Sequence, residues 1–331
     1  MSNYENAKSE IKVKCKDCGF EFTTIWNYLQ YRKKCPKCYE NGVSLQEREI
    51  SSFIEAILPT EEILINTRTV ISPKELDVYI PSRKIAIEYN GLWTHSEDCE
   101  WGGKDKNYHL NKTEECTKQG IQLIHIFEDE WLYNREIVKN RLINILNVNI
   151  RDKVYARKCV IKEIDSKIKN DFLEKFHIQG KDSSKIKLGA FYKDKLVSVM
   201  TFSHGNISKG SRSVELIWEL NRFCSDYNYI VIGIASKFLE YFKRNFEWEK
   251  IFSYADRRWS TGNLYYKLGF ELDHITRPNY WYIKCFRRIH RFNLRKPNNE
   301  KMTEKALRKS QGYGRIWDCG NLKFSILNGG K

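Results

Sequence analysis

No stretch of this 331-residue chain is apolar for long enough to span a bilayer, and no lipidation signal is present. Its first residues, Met1-Ser-Asn-Tyr-Glu-Asn-Ala-Lys8, are polar where a secretory leader would be apolar. Internal repeats and low-complexity blocks are also missing. These absences predict a cytoplasmic protein, in the host cell if phage-encoded, with no membrane partner and no obligate protein partner. Cysteine is not scarce, at ten, but only four of the ten form a spaced set. That distribution fits a reducing compartment with one metal site better than a disulfide scaffold. What the chain has in excess is positive charge: net +15, with pI near 9.2. A polyanion is the implied partner, double-stranded DNA first, because each phosphate contact releases counterions. A hydrophobic content of 41% and aromatic content of 14% predict folded domains throughout.

The spaced cysteines are Cys15-Lys-Asp-Cys18 and Cys35-Pro-Lys-Cys38. Each CxxC pair suits a tight knuckle aiming two thiolates at one ion, and four sulfurs complete a closed, structural Zn²⁺ site. So small a module depends on the metal for its folding energy. Its Trp26, Tyr28, Tyr31, Arg32, Lys33 and Lys34 suit DNA contact or simply form a solvated basic face.

The most informative stretch runs from Glu75 to His95 and reads as two short strands around Pro81-Ser82-Arg83-Lys84. Alternation puts Leu76, Val78, Ile80, Ile85, Ile87 and Tyr89 on one face, and Asp77, Tyr79, Ala86 and Glu88 on the other. A turn centred between Ser82 and Arg83 sets Asp77 opposite Glu88, with their Cβ atoms roughly 5 Å apart. Two facing carboxylates repel unless a cation such as Mg²⁺ or Mn²⁺ lies between them. The competing reading is a solvated strand face with two unrelated acids. Upstream, Ser44 and Glu47 have capping-box spacing at the start of a helix ending before Pro59, and Glu47 can serve as a cap or look inward. A third strand is predicted at Ile63–Asn66. A helix over Asn107–Lys118 carries His109 and Lys112. Strand Ile121–Phe127 and a helix over Asn134–Leu146 close an α/β layer.

Residues 44–146, about a third of the chain, resemble the PD-(D/E)xK nuclease superfamily in its very-short-patch-repair branch. The phage-type homing endonucleases with an EDxHD pattern are still more similar. The resemblance implies metal binding by Asp77 and a site glutamate at Glu47. Gly91 and His95 match that branch, and His109 stands where it has an acid. Glu88 takes the second carboxylate position without a lysine two residues on, and Lys112 is the candidate substitute. The implied chemistry is phosphodiester hydrolysis, with Asp77 and Glu88 or Glu47 holding Mg²⁺ and His95 and His109 moving protons.

Residues 150–285 read as a second α/β unit. It has a hairpin over 186–202 turning at Lys193-Asp194-Lys195, a strand at 215–223 and a helix at 234–246. A strand at 251–254 and a helix over 262–270 follow. This order resembles the N-acetyltransferase superfold, nearest its phage Mom-type branch, where a tyrosine-bearing helix ends in Leu-Gly-Phe. Ile230-Val-Ile-Gly233-Ile-Ala235 keeps that superfold's small residues at the diphosphate-cradling helix start, with Ile for the cation. The domain is read as reused for DNA binding through Arg222, Arg257, Arg258 and Trp259. Residues 286–331 read as a basic tail with a helix near 302–310 and a closing hairpin over 312–320.

Four units are therefore expected: a zinc module (1–43), a nuclease core of mixed sheet and flanking helices (44–149), an acetyltransferase-like α/β domain (150–285) and a tail (286–331). The expected function is a free-standing, Mg²⁺-dependent DNA endonuclease. The rivals are a repair or restriction nickase on the same core, a Mom-like DNA-base acyltransferase, and a zinc-stabilised DNA binder without activity.

Overall fold

The computed structural model describes residues 9–16, 18–26, 35–37, 43–100, 102–148, 151–204 and 215–329. The protein is a mixed α/β chain. Near its start β1 (Glu10–Lys14) and β2 (Glu21–Ile25) pair antiparallel, Lys14 opposite Glu21.

Helix α1 (Leu45–Ile57) opens on Ser44, whose hydroxyl accepts from the Glu47 N–H while the Glu47 carboxylate accepts from the Ser44 N–H. This reciprocal cap satisfies two donors that a helix start leaves without intrahelical partners. Strands β3 (Leu64–Ile71), β4 (Lys74–Ile80), β5 (Ile85–Asn90) and β6 (Gln122–Phe127) then form one sheet in chain order. β5 and β6 are parallel, bridged by helix α2 (Tyr108–Lys118). The β4–β5 turn is a 3-10 turn, Pro81–Arg83, with Lys84 left-handed at φ 51°. It is wider than a two-residue hairpin loop, yet Ile80 still pairs with Ile85 and Val78 with Ile87. Helices α3 (Glu128–Tyr133) and α4 (Arg135–Ile145) follow. One face of the sheet (Val78, Ile80, Ile87, Ile124, Ile126) packs on Ile50 and Ile54 of α1, Trp131 of α3 and Leu142 of α4.

A seven-stranded sheet dominates the remainder, in the order β14-β18-β13-β11-β10-β9-β8. Its first members are β8 (Val160–Glu163), β9 (Ile186–Tyr192), β10 (Lys195–His204) and β11 (Ile217–Ser225). Then come β13 (Lys250–Asp256), β14 (Glu271–Ile275) and β18 (Asn321–Leu327). Helix α5 (Ser166–Phe176) packs Phe172, Leu173 and Phe176 around Val199. On the other face, helix α6 (Ile234–Asn245) buries Phe238, Leu239 and Phe242 against Met200, Phe202 and Leu220. Before α6, β12 (Tyr229–Ile232) leaves the sheet and runs parallel to β7 (Asp152–Tyr155). A short helix α7 (Asn263–Lys267) precedes β14. A third sheet sets β15 (Tyr280–Lys284) between β16 (Arg287–His290) and β17 (Gly314–Trp317), with helix α8 (Glu304–Ser310) before β17.

The closing hairpin expected over 312–320 does not form. β17 pairs with β15, and β18 inserts between β13 and β14. The Asp318-Cys319-Gly320 turn thus links two sheets, and a side chain at Gly320 (φ +75°) would collide with the Thr276 carbonyl oxygen. No described helix is long and apolar enough to cross a membrane.

Candidate functional site

Three of the four spaced cysteines, Cys15, Cys18 and Cys35, bring their Sγ atoms within 4.8 Å of one another. Cys38 lies outside the described residues, as do Tyr28, Tyr31, Arg32, Lys33 and Lys34. The β1–β2 knuckle positions the first pair: Gly19, at φ +71°, donates to the Cys15 carbonyl, and Cys15 donates back to the Phe20 carbonyl. Cys18 and Cys35 sulfurs stand 3.7 Å apart. Two thiolates on one tetrahedral ion with metal–sulfur bonds of about 2.3 Å would stand about 3.8 Å apart. The cluster therefore fits a metal ion such as zinc.

The β4–β5 ladder runs from Ile80–Ile85 to Val78–Ile87 and stops short of Asp77 and Glu88, and Leu76, expected on the face of Val78, packs with Ala86 and Cys116 on the other. What lies beside Glu88 is a side chain from α2. The Lys112 ammonium forms an ion pair with Glu88 Oε1, both side chains 5% exposed. Asp77 Oδ2 accepts from the Tyr89 N–H at 2.8 Å. Burial, then the Glu88 and Glu47 charges, raise the Asp77 pKa well above the usual carboxylate range. Burial also raises Glu88, against the pull of Lys112. Asp77, Glu47, Arg48, Ser51 and Asn66 line one small open cavity.

Next to these acids is a run of histidines. His95 Nδ1 and His109 Nε2 are 3.2 Å apart, and the His109 and His125 rings meet edge to face at 5.4 Å. Thr113 donates its hydroxyl to the His109 carbonyl, so His125 Nε2–H donates to Thr113 Oγ1 at 2.9 Å. Asn90 Nδ2 faces His125 Nδ1 at 3.3 Å, which completes a neutral Nε2–H tautomer. Burial is the main reason all three rings resist protonation. His95 falls to about 3, helped by Lys112 and Lys104, and His109 and His125 lie well below their ordinary value.

The arginines named from the sequence separate. Arg258 is 6% exposed and bonds Glu130 at 2.8 Å and Asp256 at 2.7 Å. Trp259, 2% exposed, belongs to the core of the first α/β unit. Neither faces solvent, so a DNA contact by this pair is corrected. Together with Arg288, which bonds Asp129 and Glu130, they form a seam between the halves. Arg222 donates to the Asn221 carbonyl, and Arg257 lies 3.7 Å from Glu114.

The seven-stranded sheet contains an opening that motif reading missed. β11 and β13 are parallel neighbours paired only over Ile217–Glu219 and Lys250–Phe252. Just beyond, Thr201 faces Arg222 and Phe202 faces Leu220, so Asn221 is the extra residue of a β-bulge. A bulge bends its strand, and here it bends β11 where β11 parts from β13. Past the parting, Ser253 Oγ donates to the Leu220 carbonyl and stands 2.8 Å from the Tyr265 hydroxyl on α7. Burial, then the Glu219 charge, raise the Tyr265 pKa and keep the phenol protonated. Tyr265 lies on the tyrosine-bearing helix expected over 262–270, but its pairing with Ser253 carries no local sequence signal, because the two positions meet only through the fold.

No family model matches the chain. No curated protein matches it either. Solved structures do. A GNAT family acetyltransferase from Elizabethkingia anophelis with acetyl-CoA bound is 14% identical, covering 52% of this chain and 99% of its own, with TM-score 0.31. A Bacillus subtilis acetyltransferase in complex with CoA is 16% identical with the same coverage and TM-score 0.31. An aminoglycoside 6'-acetyltransferase type Ii is 14% identical over 51% of this chain and 96% of its own, with TM-score 0.29.

The expectation of a Mg²⁺-dependent homing endonuclease, with its hydrolase and PD-(D/E)xK assignments, is corrected. The structures found similar are acetyltransferases. The local geometry agrees: among the described residues, only the three cysteines gather as a group of three or more ligand atoms, and Glu47, Asp77 and Glu88 do not. The cation beside Glu88 is Lys112. Histidines held this far below neutrality are also poor general bases at pH 7.

Proposed function

We propose that this protein is an acyltransferase that takes its acyl group from a CoA-type thioester and delivers it to a nucleophile on or bound to DNA. The observation that carries this reading is the bulged parting of β11 from β13, a slot at the carboxyl ends of parallel strands, where α/β sheets bind ligands. Helix α6 starts on Gly233, left-handed at φ 78°, leaving first-turn N–H groups for a diphosphate. The cation missing at Ile230 has substitutes close by. Ala156 Cβ is 3.7 Å from where a side chain on Gly233 would begin, and the same turn carries exposed Arg157 and Lys158. The acceptor nucleophile adds to the thioester carbonyl and passes its proton to water, the carbon–sulfur bond breaks, and the departing thiolate takes the Tyr265 proton, which water then restores to the phenol. DNA is the partner that net charge +15 favours.

Titration with acetyl-CoA in a calorimeter tests this directly, and an absence of binding sinks the proposal. Tyr265→Phe is expected to keep acetyl-CoA affinity while lowering the transfer rate about a hundredfold, the usual weight of a positioned proton donor. Equal rates in the two proteins would remove Tyr265 from that role.

We further propose that the metal of the Cys15–Cys18–Cys35 cluster is one structural zinc ion, with Cys38 as the fourth thiolate. Chelation, or Cys35→Ser, is expected to lose one zinc per chain and all amide protection in β1 and β2, while β8–β11 stay protected. Retained protection in β1 without zinc would contradict it.

A further inference from the structure

The seam between the two α/β units leaves an open cleft of about 450 Å³. Lys106 just before α2 and Leu110 and Glu114 on it line one side, and Arg257, Ile275 and Arg277 come from the other half. Three cations face one carboxylate, and Glu114 is already engaged by Arg257 at 3.7 Å. The Lys106 ammonium rests over the Trp317 ring at 5.3 Å. Arg277 is exposed, and its guanidinium has no partner among the described residues. Between the cations, Leu110 and Ile275 supply an apolar floor. Charge at the rim with an apolar strip beneath is what a nucleotide chain requires, because phosphates are held by cations while sugars and bases cover apolar surface. A free inorganic anion has no use for the floor, and an acidic protein would meet only three charges here.

We infer that this cleft is the track for a nucleic-acid backbone, gripped by the exposed Lys106 and Arg277. The inference deepens the proposed function and rests on its nucleic-acid half: it places the acceptor strand against the seam, where both units contribute. It also explains why a cleft built from two units would need the rigid Arg258–Glu130–Arg288 lock beside it. Both of the cations chosen for substitution are exposed, so removing them leaves the packing intact.

The test is fluorescence anisotropy of a labelled DNA strand, and of the matching duplex, through a salt titration. The proteins compared are the parent, Lys106→Gln/Arg277→Gln, and the control Lys167→Gln/Lys301→Gln, whose lysines are exposed elsewhere. Losing two phosphate contacts should flatten the log–log salt slope by roughly 1.4 for a strand and 1.8 for a duplex, at about 0.7 and 0.9 per contact. The control should keep the parental slope, and all three should share one melting temperature. A loss confined to the strand, or seen with both forms, supports the track and says which form it holds. Tight parental binding with an unchanged slope in the Lys106/Arg277 variant overturns the cleft but spares the DNA reading. A parent that binds neither form overturns both, whatever the outcome with acetyl-CoA.

Discussion

Acidification below pH 6.5 is expected to unfold the first α/β unit. Two wholly buried rings, His109 and His125, are held neutral with pKa values well below 6.5, and the half-buried His95 is pushed down to about 3. The unfolded chain binds protons at all three near pH 6.5, while the folded chain refuses them. Stability is therefore complete above that pH and drains away as pH falls, at about 1.4 kcal/mol per pH unit for each ring. Three rings amount to roughly 4 kcal/mol per unit, a large share of the ordinary stability of a domain. Asp77 works in the opposite direction. Its folded pKa is raised, so it gains a proton before the unfolded chain does and softens the loss as pH falls through that value. His125→Gln isolates one ring. Urea midpoints measured at intervals between pH 7.5 and 5 should fall less steeply in the variant, by one proton's worth. Parallel curves for parent and variant would mean that His125 titrates in the folded protein.

The same residues show what can be read from a sequence and what cannot. Alternation and a four-residue turn were enough to pair Ile80 with Ile85 and Val78 with Ile87, because register in a sheet with a buried face follows the apolar pattern, but the alternation fails at Leu76, which packs with Ala86. The Ser44–Glu47 cap was legible because both partners lie within one turn. The identity of the cation beside Glu88 was not, since Lys112 follows Glu88 by 24 residues and reaches it only through the β5–α2–β6 crossover. Residues typical of a hydrolytic metal site can thus serve a buried ion pair, and neither type nor spacing distinguishes the two.

Long-range partners also explain the errors at the seam. Arg257-Arg258-Trp259 reads as an exposed basic cluster, but Arg258 finds Glu130 at a separation of 128 residues and Trp259 enters a core built before residue 150. Asp318-Cys319-Gly320 carries every local sign of a hairpin turn. Its flanking strands nonetheless have better partners elsewhere, β15 on one side and β13 and β14 on the other. The opening between β11 and β13 was invisible for the reverse reason: a bulge is one unpaired residue, and Asn221 announces nothing in advance.

Breaking the Lys112–Glu88 pair should have the largest effect of any single substitution in the first unit. Lys112→Met keeps the length of the side chain and removes its charge, leaving a carboxylate that is 5% exposed beside a second acid. Losing one member of a buried ion pair costs about 3 to 5 kcal/mol, mostly the penalty of the charge left behind. The double variant Lys112→Met/Glu88→Gln removes that stranded charge. It should recover part of the loss, with a coupling of about 1 to 3 kcal/mol across the cycle. Coupling of that size would tie the acids to an internal lysine and give them a structural task. If Lys112→Met instead shifted the unfolding midpoint no more than an ordinary surface change, the ammonium would not be what reconciles the two carboxylates. The balance of charge along β4 and β5 would then need another cation to explain it.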